Sequence, residues 1–237
     1  MSQNDSSKSL NKYISDSGLC SRRQADALIE EGRVTLNGKI AKKGNRVLPS
    51  DEVSVDGDLI SKKKAKSIYI AFNKPVGIEC TTNRNVNGNI IDFIKHEQRI
   101  FPIGRLDKDS EGLILLTNDG DIVNTILRAE NKHEKEYIVE VDKNITREFI
   151  KQMGDGVTIM GKVTNKCKVE KLGKKVFSIV LTQGWNRQIR RMCTELSYKV
   201  KSLQRVRIMH IKLGELPLGR WRRLNHVELT GILEKAK

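Results

Sequence analysis

The chain has 237 residues, 38% hydrophobic and 31% charged, enough to build one large domain, or a small plus a medium one, around a real core. Lys and Arg total 44 against 29 Asp and Glu, a formal net charge of +15, and no stretch approaches the roughly 18 uncharged apolar residues of a membrane span. That balance excludes a membrane-spanning reading and makes a phosphate backbone, met in the cytoplasm, the leading kind of partner.

Residues 1–8 are polar, lack the apolar core of a secretory signal, and read as a disordered tail. Residues 10–17 have a helical pattern that Gly18 stops. Ser21-Arg22-Arg23-Gln24 has capping-box spacing, Ala25, Leu28 and Ile29 continue it as an apolar stripe, and Gly32 ends the helix. Val34 and Leu36 alternate with polar residues ahead of a tight turn at Asn37-Gly38. Val53 and Val55 do the same ahead of Asp56-Gly57. Residues 9–60 thus form a helix–helix–strand domain too small to bury much surface alone. The short cationic run at 61–66 reads as a linker.

Residues 67–237 form the second domain. Strands are expected at 68–72, 113–116, 137–141, 176–181 and, as one long strand, 203–213. Helices are expected at 90–94, 121–128, from a Thr146 cap to Gly154, 187–196 and 226–234. In the helix at 121–128, Ile122, Val123, Ile126 and Leu127 point inward. The elements mix without a βαβ rhythm, which indicates an α+β fold with a mixed sheet.

Cys20, Cys80, Cys167 and Cys193 are widely spaced, and His96, His133, His210 and His226 form no ligand pair. Reduced, packed thiols and no metal site follow. Gly156-x-x-x-x-Gly161-Lys162 imitates a phosphate-binding loop. Val163 stands where a hydroxyl would have to hold magnesium, so nucleotide binding is set aside. The basic surplus is concentrated: eleven cations lie between Gly184 and Arg223, opposed only by Glu195 and Glu215. Arg dominates, and its fork matches phosphate oxygens in pairs. Trp185 and Trp221 flank the stretch, as base-stacking platforms or as core. Between Gly104 and Gly112 lies Arg105-Leu106-Asp107-Lys108-Asp109-Ser110-Glu111, a polar loop entering a buried strand. On pattern alone it is either a tight turn with capping carboxylates or a site.

Gly-Arg-Leu-Asp-x-Asp-Ser-x-Gly-Leu from Gly104, followed by Leu115-Leu116-Thr117-Asn118-Asp119-Gly120-Asp121, resembles the signature of the RsuA/RluB/RluE/RluF family of RNA pseudouridine synthases. Asn73-Lys74-Pro75-Val76-Gly77, Lys135-Glu136-Tyr137 and Asn186-Arg187-Gln188-Ile189-Arg190-Arg191-Met192 resemble that family's other motifs, in order. Phe101-Pro102-Ile103-Gly104, His133-Glu134-Lys135 and Lys166-Cys167-Lys168-Val169 are most similar to its RluF-type branch. The stretch from Ser21 to Gly38 resembles the αL RNA-binding domain first seen in ribosomal protein S-four.

The resemblance implies a largely antiparallel catalytic sheet and isomerisation of a uridine in a structured stem-loop of large-subunit (23S) ribosomal RNA; a monomer is the default expectation, and neither a cofactor nor a metal is expected. In that reaction the N1–C1′ bond of uridine breaks, the base turns, and C5 takes its place. A carboxylate facing the sugar is needed, and the resemblance assigns Asp107. A carboxylate taken into an apolar pocket protonates unless a cation accompanies it, and Arg190 is the family's candidate. Tyr137 would stack under the extruded base and serve in proton transfer. Arg22, Arg23, Lys39, Lys74, Arg105, Arg187, Arg191, Arg205 and Arg207 are the expected RNA contacts. The other readings are a different RNA (16S ribosomal RNA or tRNA) and a non-catalytic ribosome-assembly factor. A methyltransferase would show a Gly-rich cofactor loop and a base deaminase a zinc cluster, and the sequence has neither.

Overall fold

The computed structural model describes residues 7–60, 66–127 and 133–234. The expected tail up to residue 6, the expected linker from 61 to 65 and Arg128 at the end of one expected helix lie outside the described residues. The chain divides into two compact units, Met1–Ser67 and Ile68–Lys237.

The first unit opens on β1 (Lys8–Ser9), α1 (Leu10–Asp16) and α2 (Arg22–Glu30). The capping box forms as the spacing requires. Ser21 Oγ accepts from the Gln24 amide at 3.2 Å, and Gln24 Oε1 accepts from the Ser21 amide at 3.0 Å. Then come β2 (Val34–Leu36), β3 (Lys39–Ile40), β4 (Arg46–Val47), β5 (Val53–Val55) and β6 (Asp58–Leu59). Four of them make an antiparallel sheet in the order β3-β2-β5-β6, and β4 pairs with β1. Asn37-Gly38 and Asp56-Gly57 take φ of 50° and 77°, and 54° and 89°. That left-handed pair matches the twist of the strands it joins. Leu10, Ile14, Ala25, Ile29, Val34 and Val53 form the core. Each large side chain fully buried there contributes about 1.5–3 kcal/mol of transfer free energy.

The second unit runs β7 (Tyr69–Lys74), α3 (Ile90–Ile94), β8 (Phe101–Ile103), β9 (Glu111–Thr117), α4 (Gly120–Leu127), β10 (Lys135–Val141), α5 (Arg147–Asp155), β11 (Thr158–Ile159) and β12 (Lys162–Val163). It continues with β13 (Lys168–Lys171), β14 (Val176–Leu181), α6 (Gln188–Glu195), β15 (Val200–Ile208), β16 (Ile211–Lys212), β17 (Trp221–Arg223) and α7 (His226–Glu234). A nine-stranded sheet has the order β13-β14-β10-β15-β9-β7-β17, with β16 on β15 and β8 on β9. Each pairing is antiparallel except that of β15 with β9. Leu113 and Leu115 of β9 pack with Ile122, Ile126 and Ile232, while Ile114 and Leu116 pack with Ile70, Phe72 and Ile90. A strand covered on both faces must be apolar throughout, which is why this run is unbroken.

The expected long strand at 203–213 is a hairpin instead. β15 ends at Ile208, Met209 takes φ 54°, and the chain returns as β16. Met209-His210 contains none of the Gly, Asn or Asp that usually announces such a turn. The imitation phosphate loop is also resolved: Gly156 caps α5, and Gly161 turns the β11–β12 hairpin. The parallel join of β15 to β9 is short, Gln204 with Glu111 and Arg205 with Gly112. It sets the exit of the polar loop at 104–110 directly against the middle of β15.

Candidate active site

Three segments grip the loop that precedes β9. From the turn after β7, the Gly77 amide donates to the Lys108 carbonyl at 2.7 Å, and Cys80 Sγ accepts from the Leu106 amide at 3.3 Å. From α6, Arg190 Nη2 donates to the Asp109 carbonyl at 2.6 Å and to Ser110 Oγ at 3.1 Å. From β15, Arg205 Nη1 donates to the Arg105 carbonyl at 3.2 Å and Nε to the Leu113 carbonyl at 2.6 Å. Gly112 is obligatory at the loop's exit. Its φ is 105°, and a Cβ there would lie 2.4 Å from the Arg205 carbonyl oxygen. The Ser110 amide closes the loop on the Asp107 carbonyl at 3.1 Å.

This loop forms one wall of a cleft of about 610 Å³ whose lining includes Asp107, Tyr137, Arg190, Arg105, Ile189 and Trp185. Asp107 is half-buried. Among the described residues its carboxylate has neither a hydrogen bond nor an ion pair. Tyr137, on β10, is buried to 9% exposure, and the Arg205 guanidinium stands 6.0 Å from its ring centroid. Arg190 reaches a different carboxylate from the expected one. Its Nε lies 3.4 Å from Asp109 Oδ2, an ion-pair separation without hydrogen-bond alignment. Arg187 completes the cluster with a two-pronged pair to Asp109, at 3.0 and 2.8 Å. These bonds, chiefly from Arg187 and with the Arg190 charge added, hold the Asp109 carboxyl below the usual carboxylate range. Arg187 adopts a left-handed backbone, φ 51° and ψ 33°, at the start of α6. Non-glycine residues in that region are strained and cluster at functional sites.

The expected RNA contacts separate into two groups. Arg22, Arg23, Lys39, Arg105 and Arg191 are exposed, and Arg187 is half-exposed. Three are corrected. Lys74 is fully buried, and its amine donates to the Pro75 and Ile78 carbonyls at 2.9 Å each, so it braces the turn instead of meeting a phosphate. Burial also pushes its pKa down. Arg205 is 3% exposed, with its bonds directed into the protein. Arg207 is committed to Glu136 at 2.8 Å and Glu134 at 3.0 Å. In all three cases the bare sequence shows a cation and says nothing of its depth, as at Lys74 and Arg205, or of the carboxylates beside it, as at Arg207.

Asp109, Ser110, Cys80 and Lys135 also belong to the site, and the sequence alone assigns none of them a role. Lys135 lines the cleft two residues before Tyr137, and its pKa is lowered by burial and then by Arg205. Its signal was the strand's period of two, which sends residues 135 and 137 to one side. Cys80 had no signal at all, being 26 residues from its partner Leu106. Trp185 is half-buried against the core and lines the cleft, and Trp221 sits 5.5 Å from the ring of His96. Among the described residues, no helix is long and apolar enough to cross a membrane, and no group of three or more His, Cys, Asp or Glu is arranged to hold a metal.

The pattern of the RNA pseudouridylate synthase family matches residues 68–195, and that of the S4 domain matches residues 9–53. The dual-specificity RNA pseudouridine synthase RluF of Escherichia coli K12 is 58% identical over 231 residues, 97% of this chain and 80% of that protein. The ribosomal large subunit pseudouridine synthase B of Bacillus subtilis is 33% identical, with 94% of each chain covered. A crystal structure of a pseudouridylate synthase superposes with a TM-score of 0.69 at 28% identity, covering 97% of this chain and 99% of that one.

Proposed function

The chain belongs to the RNA pseudouridylate synthase family, and from that premise we propose that it isomerises a uridine of 23S ribosomal RNA, with Asp107 facing the sugar and Tyr137 beneath the base. It is an RNA pseudouridine synthase with an S4 RNA-binding domain at its N-terminal side. The observation that carries the residue roles is that an unpaired carboxylate and an aromatic ring line one cleft of about 610 Å³.

The target uridine leaves its stack at a cost of a few kcal/mol, least where it is already unpaired. Exposed Arg105, Arg187 and Arg191 around the cleft offset that cost through phosphate contacts. On the S4 domain Arg22, Arg23 and Lys39 add a tethered second contact, which raises the local concentration of the stem-loop. The uracil lies over Tyr137. Asp107 engages C1′ as the N1–C1′ bond breaks, the base turns, the C5–C1′ bond forms, the C5 proton departs and N1 gains one. Arg190 keeps the Asp107 loop in place through Asp109 and Ser110. The name of the E. coli relative specifies dual specificity, so a second RNA target belongs to the proposal. We place the enzyme in the cytoplasm as a monomer.

Incubation with ribosomal RNA tritiated at uridine C5 should release tritium, and sequencing of the product should show one modified 23S position. Release from no cellular RNA rejects the enzyme reading for this chain. Release from tRNA or 16S RNA alone reassigns the substrate.

A further inference from the structure

Arg205 has no task in the scheme above. It is a guanidinium 3% exposed, on a strand in mid-sheet, with no carboxylate in ion-pair contact among the described residues and with Nη2 buried and unbonded. A buried charge without a counter-ion is costly, and an apolar residue of similar volume would fill the space at less cost. What the guanidinium does instead is geometric. Nη1 holds the Arg105 carbonyl at 3.2 Å, two residues before Asp107, and Nε holds the Leu113 carbonyl at 2.6 Å, just beyond the loop. One rigid fork therefore ties both ends of the 105–113 segment. The backbone of the same residue pairs with Gly112, and Cζ stands over the Tyr137 ring at 6.0 Å.

We propose that Arg205 is a positioning residue, which fixes the Asp107 loop relative to Tyr137 by clamping both ends of that loop on one guanidinium. This rests on the roles of Asp107 and Tyr137 stated above. The planar fork matters as much as the charge. A lysine ammonium on a flexible stem does not present two donors in fixed directions. Displacing a catalytic group by about 1 Å costs on the order of 100-fold in rate. Since Arg205 lines the cleft, its truncation opens a hole that solutes in the cleft can enter.

The test uses the full chain as wild type, Arg205→Lys and Arg205→Ala, in single-turnover tritium release with enzyme in excess, alongside RNA affinity. Both variants should lose about 100-fold in rate with affinity unchanged. Guanidinium chloride at millimolar concentration should restore part of the Arg205→Ala rate, and sodium chloride at equal ionic strength should not. Loss of affinity with the rate kept would make Arg205 an RNA contact and overturn the proposal. So would full activity in either variant, a rate unmoved by guanidinium, or global unfolding of both, which would make it a stability element. Wild type inactive on every RNA would reject the function itself, an outcome separate from undiminished variants beside an active wild type.

Discussion

The side chains of Arg22, Arg23 and Lys39 of the S4 domain stand in solvent, without a hydrogen bond or ion pair among the described residues, whereas those of Lys74 and Arg205 of the catalytic unit are buried and spend their donors on backbone carbonyls. The first set is free to meet phosphates one at a time, and each contact is worth what counterion release gives it. The second set meets nothing outside the protein and acts through the position of the loop it braces. Charge counted along a sequence joins these two roles, while depth separates them. Changes to the buried cations of the catalytic unit should therefore appear in turnover, and changes to the exposed cations of the S4 domain in affinity and its salt dependence.

The largest effect belongs to Asp107→Asn. The carboxylate has no partner whose loss would disturb the fold, so the variant should unfold at the wild-type temperature and bind RNA with wild-type affinity. Its turnover should fall by about 10⁴-fold or more, the scale seen when an acting side chain is removed from an intact site. Substantial residual tritium release would show that another group faces the sugar. Next is Gly112→Ala. Its Cβ would sit 2.4 Å from the Arg205 carbonyl oxygen, at a backbone φ of 105°. Strain and overlap together should cost about 2–4 kcal/mol, read by denaturant unfolding, with a parallel loss of turnover. Gly57→Ala is the control in the other unit. Its φ is 89°, with nothing within 4 Å, so strain alone should cost about 1–2 kcal/mol and leave turnover alone. Equal costs at the two sites would mean that β15 yields to the added methyl.

Asp109→Asn comes third. It removes the charge that holds Arg187 and Arg190, and turnover should drop by about 10-fold as the loop loses its α6 support. The pH dependence has a definite sign. The folded-state pKa of Asp109 is depressed, first by the bonds from Arg187. Its stabilising contribution is therefore fully present above the unfolded value of about 4 and fades as pH falls through the lower folded value. Wild type and Asn variant should thus differ in thermal stability by a constant amount from neutral pH down to about pH 4 and converge only below it. A difference that widened on acidification would contradict the assignment. Because the pair is about 44% exposed, the whole difference should be small.

Much of this is legible in the sequence. The Ser21–Gln24 capping box, the two glycine turns of the first unit and the unbroken run from Leu113 to Leu116 each carry a local physical signature, and each lies where that signature points. Two-residue strands such as β1, β4 and β16 contain too few side chains to show a period. The partner of Arg190 was not readable for a different reason. Asp107 and Asp109 are two positions apart in a loop of non-repeating dihedrals, and spacing there does not say which carboxylate turns toward α6. Arg205 and Lys74 were misplaced because a cation in sequence reads as surface, and only the carbonyls of distant segments, Leu113 and Arg105 or Pro75 and Ile78, make burial bearable.

The smallest effect on turnover tests the other half of the comparison. In Arg22→Ala/Arg23→Ala/Lys39→Ala no buried contact is lost, so stability and the rate at saturating RNA should match wild type. Affinity should weaken, and the plot of log K against log salt should flatten by about 0.9 for each duplex phosphate these residues neutralise, up to about 2.7 for all three. Fluorescence anisotropy on a ribosomal stem-loop across a salt series reads that slope directly. A slope that stays put while affinity falls would mean that the three side chains act by shaping the S4 surface. A slope and affinity both unchanged would leave the phosphate contacts to Arg105, Arg187 and Arg191 around the cleft, and the contrast between exposed and buried cations would then lie within one unit.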